Sequence, residues 1–135
     1  MILVDSSVWI YYYRPRVAEK IKSLLIGAIT RDEIAVNGII EVEILNGITE
    51  EKDFEKVKSD FGAFMTIALG DSVFIAAGEL GSSLRRKGFS VPATDLIIAA
   101  SALTSDCQLI HIDSHFDTIA RYTPLNARNL KHLIS

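Results

Sequence analysis

The chain alternates short apolar runs with longer amphipathic stretches, and this alternation constrains its fold more than any other feature. The short runs fit buried strands, because strands covered on both faces are apolar throughout, whereas the longer stretches have helical periodicity. We place strands at about 1–4, 34–36, 64–68 and 108–112, with a further edge strand near 125–126. The pattern predicts an α/β domain with a largely parallel central sheet of four or five strands.

Seven helices are expected between these strands, at about 7–13, 16–28, 38–46, 50–63, 71–88, 93–105 and 115–121. The apolar face of the second helix consists of Ile21, Leu24, Leu25 and Ala28. The face expected to pack the sixth helix on the sheet consists of Leu96, Ala99, Ala100 and Leu103. We expect Asp71 or Ser72 to cap the long fifth helix, which should end at Gly88.

Length, net charge and cysteine content further limit the number of domains and the class of protein. The 135 residues are expected to form one domain, residues 1–135. The single cysteine, Cys107, excludes an internal disulfide and a zinc knuckle, which fits the reducing cytoplasm. No apolar run approaches the roughly 18 to 20 residues of a membrane span, so no membrane partner is expected. The net charge of −3 argues against a generic basic coat for nucleic acids.

Two acids come at the ends of the most apolar strands. Asp5 follows the first strand, and Asp113 follows the strand in QLIHI. Ligands of open parallel sheets bind outside the carboxyl ends of the strands, where the chain order reverses. Asp95 lies in the first turn of a helix that leads into the last confident strand, so it is expected at the same edge.

Glu43 is the fourth acid expected at this edge. A helical wheel places it on the apolar face with Ile40 and Ile44, whereas Glu41 points away from the centre of that face. A carboxylate on a buried stripe must be neutralised, hydrogen-bonded or bound to a cation. The sequence therefore predicts a buried Glu43 with a specific partner.

Simpler interpretations account for each acid taken alone. Asp5 or Ser6 is a suitable N-cap for the first helix, and Asp113 is one for the last helix. Asp95 suits the positive end of its helix. Glu43 is long enough to reach water or an arginine. These interpretations do not explain why four acids should share one edge. Carboxylates that close together need a cation, and oxygen ligands suit Mg²⁺ or Mn²⁺, which commonly serve phosphodiester hydrolysis.

Four motifs along nearly the whole chain resemble those of PIN-domain nucleases, and more narrowly those of VapC-type toxins. ILVDSSVWI resembles the first strand and acid of that family, and EILNG resembles its Glu-Leu-x-x-Gly helix. LRRKGFSVPATDLIIAASAL resembles its Arg-rich helix end and the acidic helix that follows. LIHIDSHF resembles the strand, Asp and Phe that close the site. Each motif is weak alone, but their order and spacing are specific.

The resemblance implies a three-layer α/β/α fold and an endoribonuclease that uses Mg²⁺ or Mn²⁺ and is neutralised by an antitoxin. The catalytic, metal-binding acids would be Asp5, Glu43, Asp95 and Asp113. The residues expected to assist or contact the RNA substrate are Ser7, His115, Arg85 and Arg86. Arg85 and Arg86 also suit the end of a solvated helix, where cations favour the helix dipole.

Two neighbouring positions depart from the family pattern. The residue before Phe116 is often acidic in that family and is His115 here, while Asp117 is out of register to replace it. A polar Thr-x pair is frequent where His111 and Ile112 stand. We expect His111 to be a partly buried, hydrogen-bonded side chain rather than a ligand.

Aromatic residues crowd the first helix, at Trp9, Tyr11, Tyr12 and Tyr13. Consecutive positions point all round a helix, so some of these side chains are expected to be exposed. Exposed aromatic clusters are typical of partner surfaces, which suggests contact with the antitoxin or with a second copy in a homodimer. Core packing with the hydroxyls reaching water is the alternative for at least two of them, and stacking on RNA bases is another.

Two other functions stay open at this point. A phospho-receiver needs an acceptor Asp after its third strand and a Lys after its fifth, and the chain offers Asp71 without a matching Lys. A non-catalytic PIN-like protein that acts through a protein partner would carry the same acids. RNA cleavage by the purified protein distinguishes it from a nuclease.

Overall fold

A computed structural model describes residues 1–134, and this range contains one sheet of five strands. The strands are β1 (Ile2–Val4), β2 (Ile34–Val36), β3 (Met65–Thr66), β4 (Gln108–His111) and β5 (Ala127–Asn129). Their order across the sheet is β3-β2-β1-β4-β5, and all four pairings are parallel. The predicted parallel sheet is confirmed, although its last strand begins later than expected, at Ala127.

Seven α-helices and one 3-10 helix, Lys131–Leu133, accompany the sheet in the described part of the chain. The α-helices are α1 (Ser6–Tyr13), α2 (Glu19–Thr30), α3 (Gly38–Leu45), α4 (Glu51–Gly62), α5 (Asp71–Arg86), α6 (Ala93–Thr104) and α7 (Ser114–Tyr122). Of the helices within residues 1–134, none has both the length and the apolar character that crossing a bilayer requires.

The strand order explains the three layers. From β1 the chain moves outward to β2 and β3, then returns across the sheet to β4 and β5. Right-handed crossovers in opposite directions place their helices on opposite faces of the sheet. Helix α1 packs on α2 and α3, whereas α6 packs between α5 and α7, as this rule requires. The predicted α/β/α arrangement is confirmed.

Helix α6 is covered more completely than its predicted apolar face suggests. Leu96 and Leu103 are only half-buried, while the stretch 98–102 is buried throughout. The helix lies between the sheet and α5, so neighbours cover it on two sides and small residues such as Ala100 are needed there. The predicted face of α2 is confirmed, with Ile21, Leu25 and Ala28 buried.

The ends of α5 differ from each other in how well they were predicted. The predicted cap is wrong, because Gly70 occupies the N-cap and no side chain accepts a cap hydrogen bond there. Asp71 is instead the first helical residue. At the other end Gly88 has a φ of +89°, and the Phe89 N–H donates to the Leu84 carbonyl, so the predicted glycine termination is confirmed.

Candidate metal centre

Asp5 and Asp113 lie at the point where the chain order of the sheet reverses. Strands β1 and β4 are neighbours, with Val4 paired to Ile110. Asp5 follows β1 directly, and its backbone N–H donates to the Ile110 carbonyl at 2.9 Å. Asp113 follows β4 after one intervening residue. Both acids are therefore at the carboxyl edge of the sheet, where open parallel sheets bind ligands.

The Asp5 carboxylate caps α1 and also faces the other acids. Asp5 Oδ2 accepts two hydrogen bonds from Ser7, one from the backbone N–H at 3.1 Å and one from the side-chain hydroxyl at 2.6 Å. Its Oδ1 has no hydrogen-bond partner within residues 1–134, although the side chain is only 3% exposed. Burial raises the pKa of Asp5, the Ser7 and Ser6 hydrogen bonds partly offset this, and the charge of Asp113 raises it further.

Asp95, Asp113 and His115 form the tightest part of the site. His115 Nδ1 lies 2.9 Å from Asp95 Oδ2 and 3.3 Å from Asp113 Oδ1. One donor atom from each of the three residues lies within 4.8 Å of the others. Asp113 caps α7 by accepting the His115 backbone N–H at 2.9 Å. Burial raises the pKa of Asp95, the His115 hydrogen bond lowers it, and the charges of Asp113 and Asp5 raise it.

Glu43 reaches the site from an exposed position, so its predicted burial is wrong. Glu43 is exposed and Glu41 is half-buried, the reverse of the wheel prediction. The apolar side chains of α3 itself point to nearly all sides of the helix, and one of them, Val42, is 65% exposed. The helical wheel therefore defined no narrow buried face. Ser6 Oγ donates to Glu43 Oε1 at 3.2 Å. Loss of hydration, followed by the charge of Asp5, raises the pKa of Glu43.

The Ser7 hydroxyl is engaged by the protein itself. It donates to Asp5 and accepts the backbone N–H of Ile112 at 3.1 Å. This pair of bonds joins the start of α1 to the end of β4. Ser7 thereby holds Asp5 in place relative to the segment that carries Asp113.

Arg85 and Arg86 are not joined to the acids by any hydrogen bond or ion pair in the described residues. Both side chains are exposed at the end of α5, and Arg86 donates to Ser82 Oγ at 2.9 Å. They line a shallow surface pocket with Leu96, the residue after Asp95. They are thus placed beside the site rather than in it.

The buried Asn37 supports the site and was not singled out in the sequence. Asn37 is completely buried directly after β2, where its Oδ1 accepts the Ile40 N–H at 3.0 Å and its Nδ2 donates to Ser101 at 3.3 Å. It fixes the start of α3, the helix that carries Glu43. An Asn after a strand, like Asp5 after β1, was the available signal.

His111 is buried more deeply than predicted. Its side chain has no exposure, and burial lowers its pKa. Its Nδ1 accepts the Asp113 backbone N–H at 3.1 Å, but its Nε2 lacks a hydrogen-bond partner among residues 1–134. An Asp117 carboxylate oxygen lies 3.7 Å from this Nε2. His111 therefore supports the backbone of Asp113, and Asp117 stays outside the cluster.

The aromatic residues of α1 pack more fully than predicted. Trp9 is completely buried and contacts Phe61 and Phe64 on and after α4, while the three tyrosines are half-buried. Tyr13 donates from its hydroxyl to Asp60 at 2.9 Å, and burial raises its pKa. The expectation of a fully exposed member is wrong, since all four side chains are at least half-buried, two of them through contacts of Trp9 and Tyr13 with Phe61 of α4. A groove of about 980 Å³ runs from these aromatics to Glu43.

The donor set fits a hard divalent cation. It consists mainly of carboxylate oxygens, with one imidazole nitrogen. Asp5 Oδ1 is buried without a hydrogen-bond partner among residues 1–134. Burial, and then the charges of neighbouring carboxylates, raise the pKa of Glu43 and of Asp95, so the cluster is short of positive charge. A divalent cation would supply that charge.

A family model described as the PIN domain matches residues 2–122. The chain belongs to the PIN-domain family. Within this family it is 31% identical to the VapC ribonuclease Mb1587 of Mycobacterium bovis, with 97% of this chain and 100% of that protein covered. Ribonuclease VapC11 of Mycobacterium tuberculosis matches to the same extent. The resemblance drawn from the four motifs is confirmed.

Solved structures confirm the fold of this PIN domain. FitAcB from Neisseria gonorrhoeae superposes with a TM-score of 0.76 at 20% identity, covering 98% of this chain and 99% of that one. VapBC2 from Rickettsia felis, bound to a promoter DNA fragment, gives a TM-score of 0.75 at 21% identity. There the coverage is 96% of this chain and 98% of that one.

Proposed function

We propose that this PIN domain is an endoribonuclease toxin that hydrolyses RNA phosphodiester bonds with Mg²⁺ or Mn²⁺ and is neutralised by an antitoxin. The convergence of Asp5, Glu43, Asp95 and Asp113 at one sheet edge carries the proposal. The VapC relatives are named as ribonucleases, which supports the same reaction. RNA as the substrate also favours action in the cytoplasm.

The four acids would hold the metal ion, each from a different part of the chain. A bound ion polarises the phosphoryl group and lowers the pKa of an attacking water. Asp5 and Asp113 are fixed by their caps and by Ser7, so their carboxylates are preorganised before RNA arrives. We assign Ser7 a positioning role. Arg85 and Arg86 are suited to contact RNA phosphates beyond the cleaved bond.

Substitution of single acids tests this function. In Asp5→Asn and Asp95→Asn, we expect cleavage of a labelled RNA in Mn²⁺ to fall by at least about a hundredfold, because the metal loses a charged ligand. Glu79→Gln removes an exposed carboxylate from α5 and should cleave like the wild type. Added chelator should abolish cleavage.

Two results would oppose the proposal. Equal cleavage by wild type and both acid variants would show that the activity comes from a contaminant or from another site. Metal binding without RNA cleavage by the wild type would favour the non-catalytic alternative, in which the domain acts only through a protein partner.

The antitoxin is expected to bind in the groove beside the acids. Half-buried aromatics, exposed apolar residues such as Ile26, and Glu43 itself line the groove. A peptide lying there is able to bury apolar side chains and present a cation to the acids. Ile26→Glu should lose antitoxin binding and keep RNA cleavage, whereas Ile75→Glu, at a similarly exposed site on α5, should retain both. Retained binding by Ile26→Glu would place the antitoxin elsewhere.

The homodimer stays a prediction. Of the aromatic residues that suggested it, Trp9 and Tyr13 contact Phe61 of α4, while the other two tyrosines are half-buried. Light scattering on the purified protein measures the oligomeric state directly.

A further inference from the structure

His115 occupies the position closest to two of the acids. Its Nδ1 lies 2.9 Å from Asp95 Oδ2 and 3.3 Å from Asp113 Oδ1, so the ring nitrogen is directed between the two carboxylates. The ring is 41% exposed, and its backbone N–H is held by Asp113. Within residues 1–134, Oδ1 of the buried Asp5 has no hydrogen-bond partner, which is a second, independent indication that this edge of the sheet is short of positive groups.

We propose that His115 is itself a metal ligand, through Nδ1, and that it makes this centre prefer Mn²⁺ over Mg²⁺. The inference rests on the proposed metal-dependent function and specifies its cofactor. The donor atoms of Asp95, Asp113 and His115 lie within 4.8 Å of one another, close to the roughly 4 Å between opposite ligands of a small octahedral ion.

The chemistry of the nitrogen ligand supplies the preference. Mg²⁺ favours oxygen ligands and dehydrates reluctantly, whereas transition metals accept imidazole readily. Compared with a carboxylate, an imidazole ligand carries no negative charge and is a softer donor, and both differences weaken Mg²⁺ binding more than Mn²⁺ binding.

Direct metal binding in the absence of RNA tests the proposal. Mn²⁺ binding is measured by electron paramagnetic resonance, and Mg²⁺ by its competition for the same site. We expect His115→Ala to weaken Mn²⁺ binding by about tenfold or more, since even outer-shell partners contribute that much. His115→Asp should bind Mg²⁺ more tightly and lower the Mn²⁺-over-Mg²⁺ preference by about tenfold. His132→Ala, an exposed histidine, is the matched control.

The outcomes separate this inference from the function on which it rests. Equal Mn²⁺ affinity of wild type and His115→Ala would overturn the ligand role while leaving metal dependence intact. Tighter binding by His115→Ala would also overturn it, because the histidine would then act as an internal cation that competes with the metal. Failure of the wild type to bind either ion would overturn the metal-dependent function itself. Circular dichroism and melting temperature confirm that each variant is folded.

Discussion

Replacing Asp95 by Asn should stabilise the metal-free protein while removing its response to metal. Asp95 is 9% exposed and lies near three other carboxylates, whose charges oppose its ionisation. Asn has nearly the same shape, and its carbonyl oxygen remains able to accept a hydrogen bond from His115. The substitution therefore removes repulsion with little loss of packing.

The distance to Asp113 sets the size of this effect. The relevant oxygens are no more than 4.8 Å apart. Coulomb's law gives about 3.5 kcal/mol of repulsion at an effective dielectric constant of about 20, and about 0.9 kcal/mol at about 80. The Asp113 side chain is 35% exposed, and a weaker bond to His115 offsets part of the gain. We expect a net increase of about 1 kcal/mol in unfolding free energy, which raises Tm by about 3 to 5 °C.

Thermal unfolding with a chelator and with excess Mn²⁺ measures both parts of the effect. In chelator, Asp95→Asn should melt above the wild type. In Mn²⁺ at about 100 times its Kd, the wild type should gain about 2.7 kcal/mol and melt above the variant. Glu79→Gln should follow the wild type in both conditions, to within about 0.5 kcal/mol. A variant that melts below the wild type in chelator would refute the reasoning, since the carboxylate would then stabilise the fold without metal.

Three further predictions concern pH, the Ser7 hydroxyl and the end of α5. Folding raises the pKa of Asp5, Glu43 and Asp95, so the folded state binds protons more tightly than the unfolded state. The contribution of these three groups to the stability of the metal-free protein is therefore fully present below about pH 4, and it is lost as the pH rises through their raised pKa values. Urea midpoints in chelator should therefore rise on acidification relative to those of Asp95→Asn, and a constant difference would contradict this. Ser7→Ala removes the hydroxyl that holds Asp5, so it should lower the unfolding free energy by about 1 to 3 kcal/mol and weaken Mn²⁺ binding. Unchanged Mn²⁺ binding would show that Asp5 is positioned without this hydroxyl. Gly88→Ala should lower Tm by about 3 to 5 °C, because a side chain at φ +89° costs about 1 kcal/mol, and an unchanged Tm would show that the turn relaxes.

The strands and most helices follow from local patterns in the sequence. A buried parallel strand is apolar throughout, and the bounds of β1, β2 and β4 agree with the predicted runs to within about a residue. Asp5 and Asp113 were also predictable in position, because an acid that directly follows such a strand is bound to lie at its carboxyl edge. Each of these acids caps a helix, as the simpler interpretation predicted, and this role is compatible with the metal-binding role that we propose for them.

The surroundings of Glu43 and His115 were less predictable. Glu43 is on a helix whose residues are apolar on nearly all sides, so periodicity could not tell which side faces the sheet and which the groove. His115 was expected near the site, but its short contacts with Asp95 depend on how the starts of α6 and α7 approach each other.

The sequence by itself determined the α/β class, the parallel sheet and the edge at which Asp5 and Asp113 lie. These properties depend on the period and composition of neighbouring residues, which are local. Only the tertiary structure decided that Glu43 is exposed, that Asn37 is buried at the N-cap of α3 and that His115 lies between two carboxylates. These contacts join residues far apart in the chain, and their distances depend on how whole helices pack.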